Sequence, residues 1–406
     1  MRMGAAPPLH FVVPVWGEDY VQTFLDYCLP AQLSLGNIPA LGGASGNSYT
    51  IHTTRSDHER MAESPSFRAL QQMIEVTVEF LEVEQPPAHD TPAGDKYRVK
   101  SDCYRIALRR AAARGAAVFA LNADILLANG FVRTAADLLS RGKLVIEVPG
   151  PRGLRDPIGQ TLVSRYRGVD DVSITIEPTE LAALWLKNMH PQLEMHQVEG
   201  PEGAPFHPSH LYWTVGNEGV IIRGFHLYPI VIVPGDDAVR FSTSIDDDLV
   251  GSLKLSKGEA FLARDSRDIF CCELSASDHY VGQMASRGDL NRYVDFYLTY
   301  ARENIRNLQK EIIISGVHDL SSRWDVRREQ SATFTTHLLK RYRAEVRRRY
   351  LKALRQRIAE AFLLPLRAIR NLAVRVLRRI VPEPLKGVLR RARAAYSNGS
   401  RPKDHS

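Results

Sequence analysis

Apolar and polar positions alternate in short blocks through the first 150 residues. Residues 9–16 form a β-branched apolar run that stops at Gly17, ahead of acidic Glu18 and Asp19. That pattern predicts a strand, a tight turn and a helix start, with Val21, Phe24, Leu25 and Cys28 on the helix's apolar side. Residues 48–54 predict a second strand and 66–73 a helix. Residues 76–83 predict a third strand, with Val76, Val78 and Phe80 alternating against Thr77 and Glu79. A helix over 101–114 ends at Gly115, a suitable C-cap. Strand 116–121, helix 132–139 and strand 143–148 complete the series. Strands and helices alternating at this spacing predict an α/β domain, with a mostly parallel central sheet covered by helices on both faces. Ligands of such sheets sit at the carboxyl ends of the strands.

Beyond Pro149 the pattern changes. Residues 149–234 carry long stretches rich in Pro, Gly and His, one helical segment over 179–189, and apolar runs at 219–222 and 228–233. Loops this long in a compact domain usually serve a function. The chain from 289 onward reads as helical, and its last part is interrupted by Pro365, Pro382 and Pro384. The expected organisation is an irregular leader (1–8), an α/β domain (9–275) in halves 9–150 and 151–275, a helical extension (276–337), a basic helical tail (338–396) and an irregular end (397–406). There is no internal repeat.

Charge sharpens this division. The chain carries +7 overall, but residues 340–393 hold 18 Lys and Arg against 3 Asp and Glu, leaving a net −8 for the rest. A mildly acidic body with a strongly basic appendage suggests an anionic surface met by the tail alone. In residues 366–380, Leu366, Ile369, Ala373, Val376 and Ile380 recur at helical spacing, with Arg367, Arg370, Arg375, Arg378 and Arg379 among the remainder. Such a basic amphipathic helix can lie in the interface of an anionic membrane, or pack on its own body or a second copy. Aromatics for base stacking are few, which argues against nucleic acid. No apolar run reaches the length of a spanning helix, and residues 1–10 lack a signal sequence's apolar stretch. Cys28, Cys103, Cys271 and Cys272 show no metal-site or disulfide spacing, which suits a reducing cytoplasm; the adjacent pair predicts at least one buried thiol.

The chemistry centres on residues 118–127, where an apolar strand delivers Asn122-Ala123-Asp124 to its carboxyl end, ahead of a helix. Side chains two apart share a face, so Asn122 and Asp124 can converge on one ligand, and a carboxylate there can hold Mg²⁺ or Mn²⁺. Asp124 as a cap for the following helix is the plainer alternative.

Over residues 8–250 this order of elements resembles glycosyltransferases of the GT-A fold, whose DxD motif ends the fourth strand. The resemblance implies nucleotide-sugar contacts from Pro14, Val15, Trp16 and Gly17 after the first strand and from Thr54, Arg55 and Asp57 after the second. It implies diphosphate contacts from Lys96, Arg98 and Ser101 on the helix before the motif. It also implies a metal held through Asp124, but Asn122 stands where the family's first acidic residue would be, which leaves metal dependence open.

Two further groups are candidates. Phe206-His207-Pro-Ser-His210-Leu-Tyr-Trp213 and Arg223-Gly-Phe-His226 combine rings with polar groups, as acceptor-sugar recognition requires; core packing is the alternative for Trp213 and Tyr228. Three carboxylates in Ser242-Thr-Ser-Ile-Asp246-Asp-Asp248 include a general base, with Asp246 and Asp248 as candidates, or form a helix cap. The expected activity is sugar transfer from a nucleotide donor to a glycan or lipid-linked acceptor in cell-surface polysaccharide synthesis, peripheral on the inner face of a membrane. A nucleotidyltransferase would place a Gly-rich basic loop where Pro14–Asp19 is acidic, and a non-catalytic scaffold would keep the fold without a working site.

Overall fold

A computed structural model of the chain describes residues 6–42, 46–81, 94–199, 205–235, 245, 249–279, 285–286 and 290–380. β1 (Leu9–Pro14) leads through Gly17 into α1 (Glu18–Thr23), a π-helical stretch (Phe24–Cys28) and α2 (Leu29–Gln32). β2 (Ser48–Thr53), α3 (Arg55–Ala62), α4 (Pro65–Met73) and β3 (Glu75–Phe80) follow. α5 (Gly94–Arg114) then feeds β4 (Ala117–Ala120) and β5 (Ile125–Leu127), and α6 (Phe131–Ser140) precedes β6 (Val145–Val148). Next come β7 (Arg152–Leu154), α7 (Arg155–Arg165), α8 (Pro178–Lys187), β8 (Pro205–Phe206), β9 (His210–Val215), β10 (Gly219–Gly224) and β11 (Tyr228–Ile232). The remainder holds α9 (Val250–Ser252), β12 (Ala260–Leu262), β13 (Cys271–Ser275), β14 (Ala285–Ser286), α10 (Leu290–Tyr300), β15 (Ile312–Ser315) and α11 (Arg323–Ile380).

The central sheet has the order β12-β6-β11-β4-β1-β2-β3. β1 runs parallel to both β2 and β4, and β11 alone is antiparallel to its neighbours β4 and β6. Alternation of side chains puts Phe11 and His10 on opposite faces. On one face Phe11 stacks on Tyr49 and Phe119, Phe131 of α6 packs against Phe119, and Gln32 of α2 accepts from the Tyr49 hydroxyl at 2.8 Å. On the other, Tyr104 of α5 donates to the Leu121 carbonyl at 2.8 Å. Helices therefore cover both faces, and the architecture is α/β with a mostly parallel central sheet, followed by a C-terminal helix. The chain moves outward from β1 to β3 and returns on the other side at β4. The gap between the carboxyl ends of β1 and β4 is thus the switch point where such sheets bind ligands.

Several expectations are corrected. Asp124 is followed directly by a strand, β5, and α6 begins only after it. The proposed halves 9–150 and 151–275 share one sheet, because β11 and β12 belong to it. The segment 276–337 is not all helical: β15 pairs antiparallel with β10, which pairs with β9. Pro365 does not interrupt α11, whose 58 residues pass through it. One compact unit extends to Arg341 and a second begins at Tyr342, so the helical extension belongs to the body. All four cysteines are buried free thiols. Among the described residues, no helix is long and apolar enough to cross a membrane.

Candidate active site

Backbone pairing assembles the site. β4 ends at Ala120, and the Leu121 amide still donates to the Val12 carbonyl at 2.9 Å, so Asn122 and Asp124 emerge beside the end of β1. The small sheet β5-β13-β7 then fixes what faces them. The Leu274 amide donates to the Asp124 carbonyl at 2.8 Å, and Glu273 of β13 lies in register with Ile125 on one side and Arg152 on the other. Arg152 Nη2 closes an ion pair on Glu273 Oε2 at 3.2 Å, and Nη1 reaches Ser275 Oγ at 3.3 Å. Its backbone carbonyl accepts from the Trp185 indole at 2.8 Å, which anchors the strand.

The electrostatics of these groups are coupled. Half-buried Asp124 has its carboxyl pushed up to about 6, first by burial and then by the negative charge of Glu273, against the pull of Arg152 and Lys100. Burial opposes the charge on Arg152, but Glu273 and Asp124 more than offset it and raise its pKa. The Lys96 ammonium is held below its ordinary value by burial, then by Arg152 and Lys100. Tyr20 is raised by burial and by Asp124. Among the described residues the cluster thus holds three cations, Arg152, Lys96 and Lys100, against two carboxylates. Among the described residues neither lysine closes an ion pair.

Asn122 does something else. The Tyr104 and Tyr228 hydroxyls lie 3.0 Å apart, and they stand 3.0 and 3.3 Å from Asn122 Oδ1. The single proton of Tyr104 is given to the Leu121 carbonyl, so of these two hydroxyls only Tyr228 has a proton for Asn122 Oδ1. Among the described residues, no group of three or more His, Cys, Asp or Glu is arranged to hold a metal ion.

The residues expected to meet the nucleotide differ in exposure and in partners. Pro14 and Val15 are buried, Trp16 is half-buried, and Gly17 is exposed at φ 84°, a conformation that favours glycine. Asp57 belongs to the scaffold: its Oδ2 accepts from the Gly17 amide at 3.0 Å and from Thr54 Oγ1 at 2.8 Å, while Thr54 caps α3 through the Asp57 amide at 3.1 Å. Arg55 lies over the Phe80 ring at 4.4 Å. On α5, Ser101 is buried, Arg98 is exposed and Lys96 faces the cluster.

The acceptor candidates lie elsewhere, in the wall formed by β9 and β10. Trp213 is buried against Phe334 of α11. Arg223 is 6% exposed and donates to Ser331 Oγ at 3.1 Å and the Gln309 carbonyl at 3.0 Å, with Glu311 at 3.5 Å. Both serve packing. His196, His207 and His210 gather with ring centres 5.6 Å from His196, and half-buried His226 lies within electrostatic reach. His196 Nδ1 lies 2.6 Å from the His207 carbonyl, and Ser209 Oγ sits 2.8 Å from His207 Nδ1. Burial first, then the neighbouring imidazoles, lower His196 to about 3 and His207 to about 4, and hold His210 well below its ordinary value. The His210 ring packs against Gly224, where an added Cβ would stand 2.4 Å from it. Asp246 and Asp248 lie outside the described residues.

Sequence reasoning missed Arg152, Glu273, Lys100, Tyr20 and the Tyr104–Tyr228 pair. The only available signal was one acidic residue in an otherwise apolar run, Cys271-Cys-Glu-Leu-Ser275. No protein-family model and no curated protein matches the chain. Among solved structures it is similar to S. aureus TarS, at 12% identity and TM-score 0.23, over 36% of this chain and 22% of that one. It is also similar to a Bacillus anthracis protein assigned as a glucose-1-phosphate thymidylyltransferase and solved with sucrose, at 7% identity and TM-score 0.22, over 37% of this chain and 57% of that one. The matched region spans less than two thirds of either neighbour.

Proposed function

We propose that the chain is a glycosyltransferase that moves a sugar from a nucleoside diphosphate to a glycan or lipid-linked acceptor in cell-surface polysaccharide assembly. The support is one observation: Asp124, Glu273, Arg152 and Lys96 meet at the switch point of the sheet, the place where an open α/β fold takes its ligand. In the transfer, the acceptor oxygen attacks the anomeric carbon, and the bond from that carbon to the diphosphate breaks with its electron pair leaving on the diphosphate. Asp124, titrating near pH 6, is ionised at neutral pH and basic enough to take the acceptor's proton. Arg152, Lys96 and Lys100 meet the charge of the departing group. On this reading Trp16, Thr54 and Arg55 meet the nucleotide base. Isothermal titration with UDP, GDP, CMP and UTP tests this. One diphosphate or monophosphate is expected to bind, and Asp124→Asn is expected to abolish release of nucleotide from its sugar while binding persists. Preference for the triphosphate would favour a nucleotidyltransferase, and no binding at all a scaffold.

The tail supplies the second part of the proposal, attachment to an anionic membrane at its cytoplasmic face. Val346, Tyr350, Leu354, Ile358, Ile369, Leu372 and Val376 stand exposed on α11, with Arg348, Arg349, Lys352, Arg355 and Arg375 exposed among them. Each basic residue near such a surface contributes on the order of 1 kcal/mol. Sedimentation with vesicles is expected to carry the full chain down when phosphatidylserine is included and to leave it in solution with phosphatidylcholine alone; equal behaviour in both would remove this part.

A further inference from the structure

We propose that the donor's diphosphate is held without a divalent ion, by the guanidinium of Arg152 together with Lys96 and Lys100, and that Glu273 is the positioning residue that aims Arg152. The inference deepens the reading above and rests on it.

Three features of the cluster lead here. First, the ligand set for a cation is sparse among the described residues: the Asn122 carbonyl has the Tyr228 hydroxyl as a donor at 3.3 Å, and the carboxylates beside it are Asp124 and Glu273. Second, those two carboxylates already face a fixed cation. Arg152 lies 3.2 Å from Glu273 and stabilises the charge on Asp124. A divalent ion between them would sit beside a guanidinium and be repelled by it, with little water to screen the contact. Third, positive charge is in excess. Lys96 and Lys100 stand one turn apart on α5, so their ammonium groups rise from the same face of that helix. They and Arg152 disfavour one another's charge at Lys96, a repulsion that an arriving polyanion would relieve.

The parts divide the work. A guanidinium presents a planar fork of donors suited to two phosphate oxygens, whereas an ammonium acts as a point charge. Arg152 is held at Nη2 by Glu273 and at Nη1 by Ser275, and the remaining N–H groups of its guanidinium are the ones to meet a ligand. Glu273 thus orients the donor fork much as a carboxylate behind a metal-binding histidine orients the ring. Asp124, on this account, repels the diphosphate and acts on the acceptor side.

That last point gives a test with opposite signs. The probe is inorganic pyrophosphate, titrated calorimetrically into the full chain in excess EDTA and again in Mn²⁺. Affinities within roughly twofold of each other are expected. Arg152→Gln should weaken binding roughly tenfold or more, the loss of one charge-assisted contact, with Arg152→Lys recovering part of it and thermal unfolding showing that both variants are folded. Lys96→Met should weaken binding by a smaller factor. Asp124→Asn should tighten it, because a neighbouring negative charge is removed, whereas a metal site would lose binding with the same change. Glu273→Gln should weaken pyrophosphate while leaving the affinity for the nucleoside without phosphates unchanged. Binding that requires Mn²⁺ and disappears in Asp124→Asn would overturn the inference and leave the glycosyltransferase reading standing. A chain that binds neither pyrophosphate nor any nucleotide in either condition would overturn both.

Discussion

Arg152 and Arg223 are both charged groups drawn into the body of the protein, yet their surroundings differ in kind. Around Arg223 the accounts close: a hydroxyl, backbone carbonyls and a carboxylate take its donors, and α11 seals it against β10. In the same wall His196 and His207 are hydrogen-bonded to neighbours, His210 Nε2 is buried without a partner among the described residues, and burial keeps the rings neutral. Around Arg152 the balance stays open, with two carboxylates against three cations and an acid titrating near neutrality. A buried charge whose donors are all met holds the fold together. A charge left partly unmet at a switch point marks where a ligand belongs.

Arg223→Met should show the largest effect, because it strands buried carbonyls and unbalances Glu311. Breaking a buried network this way costs about 3–5 kcal/mol, to be read as a lowered melting temperature and denaturation midpoint. The histidine wall comes next. His196 and His207 bind protons in the unfolded chain near 6.5 but in the fold only near 3 and 4. The stability they permit is complete above 6.5 and is lost as pH falls toward those values, at up to about 1.4 kcal/mol per unit for each histidine. His207→Gln should flatten that acid limb in pH-dependent unfolding.

Asp124 should show the reverse sign. Its folded value of about 6 lies above the ordinary 3.8, so the native state holds the extra proton between them and wild-type stability falls as pH rises through that window. Asp124→Asn should match the wild type at the acid end and exceed it above pH 6, by on the order of 2 kcal/mol; a constant difference across pH would mean the carboxyl is not perturbed. Arg152→Gln is expected to cost less than Arg223→Met, because its side chain is 23% exposed against 7% for Arg223. If Arg152→Gln proved as costly as Arg223→Met, the contrast between the two sites would dissolve.

How much of this could be read beforehand depended on whether the information was local. β1 through β4 and β6 follow from runs of Val, Ile, Phe and Ala between caps and glycines, and so does the delivery of Asp124 to a strand end. β13 and β15 did not announce themselves. Cys271 and Cys272 read as two thiols before they read as strand, and Ile312–Ser315 is too short between helices to show a period. Glu273 and Arg152 become neighbours of Asp124 only through pairing of β5, β13 and β7, segments far apart along the chain, and no local pattern encodes that register. Asn122 was expected as a weak metal ligand because Tyr104 and Tyr228, which face its carbonyl, come from a helix and a strand on either side of it in sequence. Arg223 and Trp213 have the composition of a sugar site, but α11 returns over them and turns both into packing.

The pairing of β15 on β10 has a practical corollary for anyone trimming this protein. A fragment ending at Ser275, where composition suggests a natural boundary, would leave the Gly219–Gly224 edge bare, with Val220, Ile221 and Ile222 uncovered. An unpaired apolar margin of that sort recruits strands from other molecules. Such a fragment should be lost to inclusion bodies, while one that retains the first turns of α11 through Arg341 should remain a discrete particle.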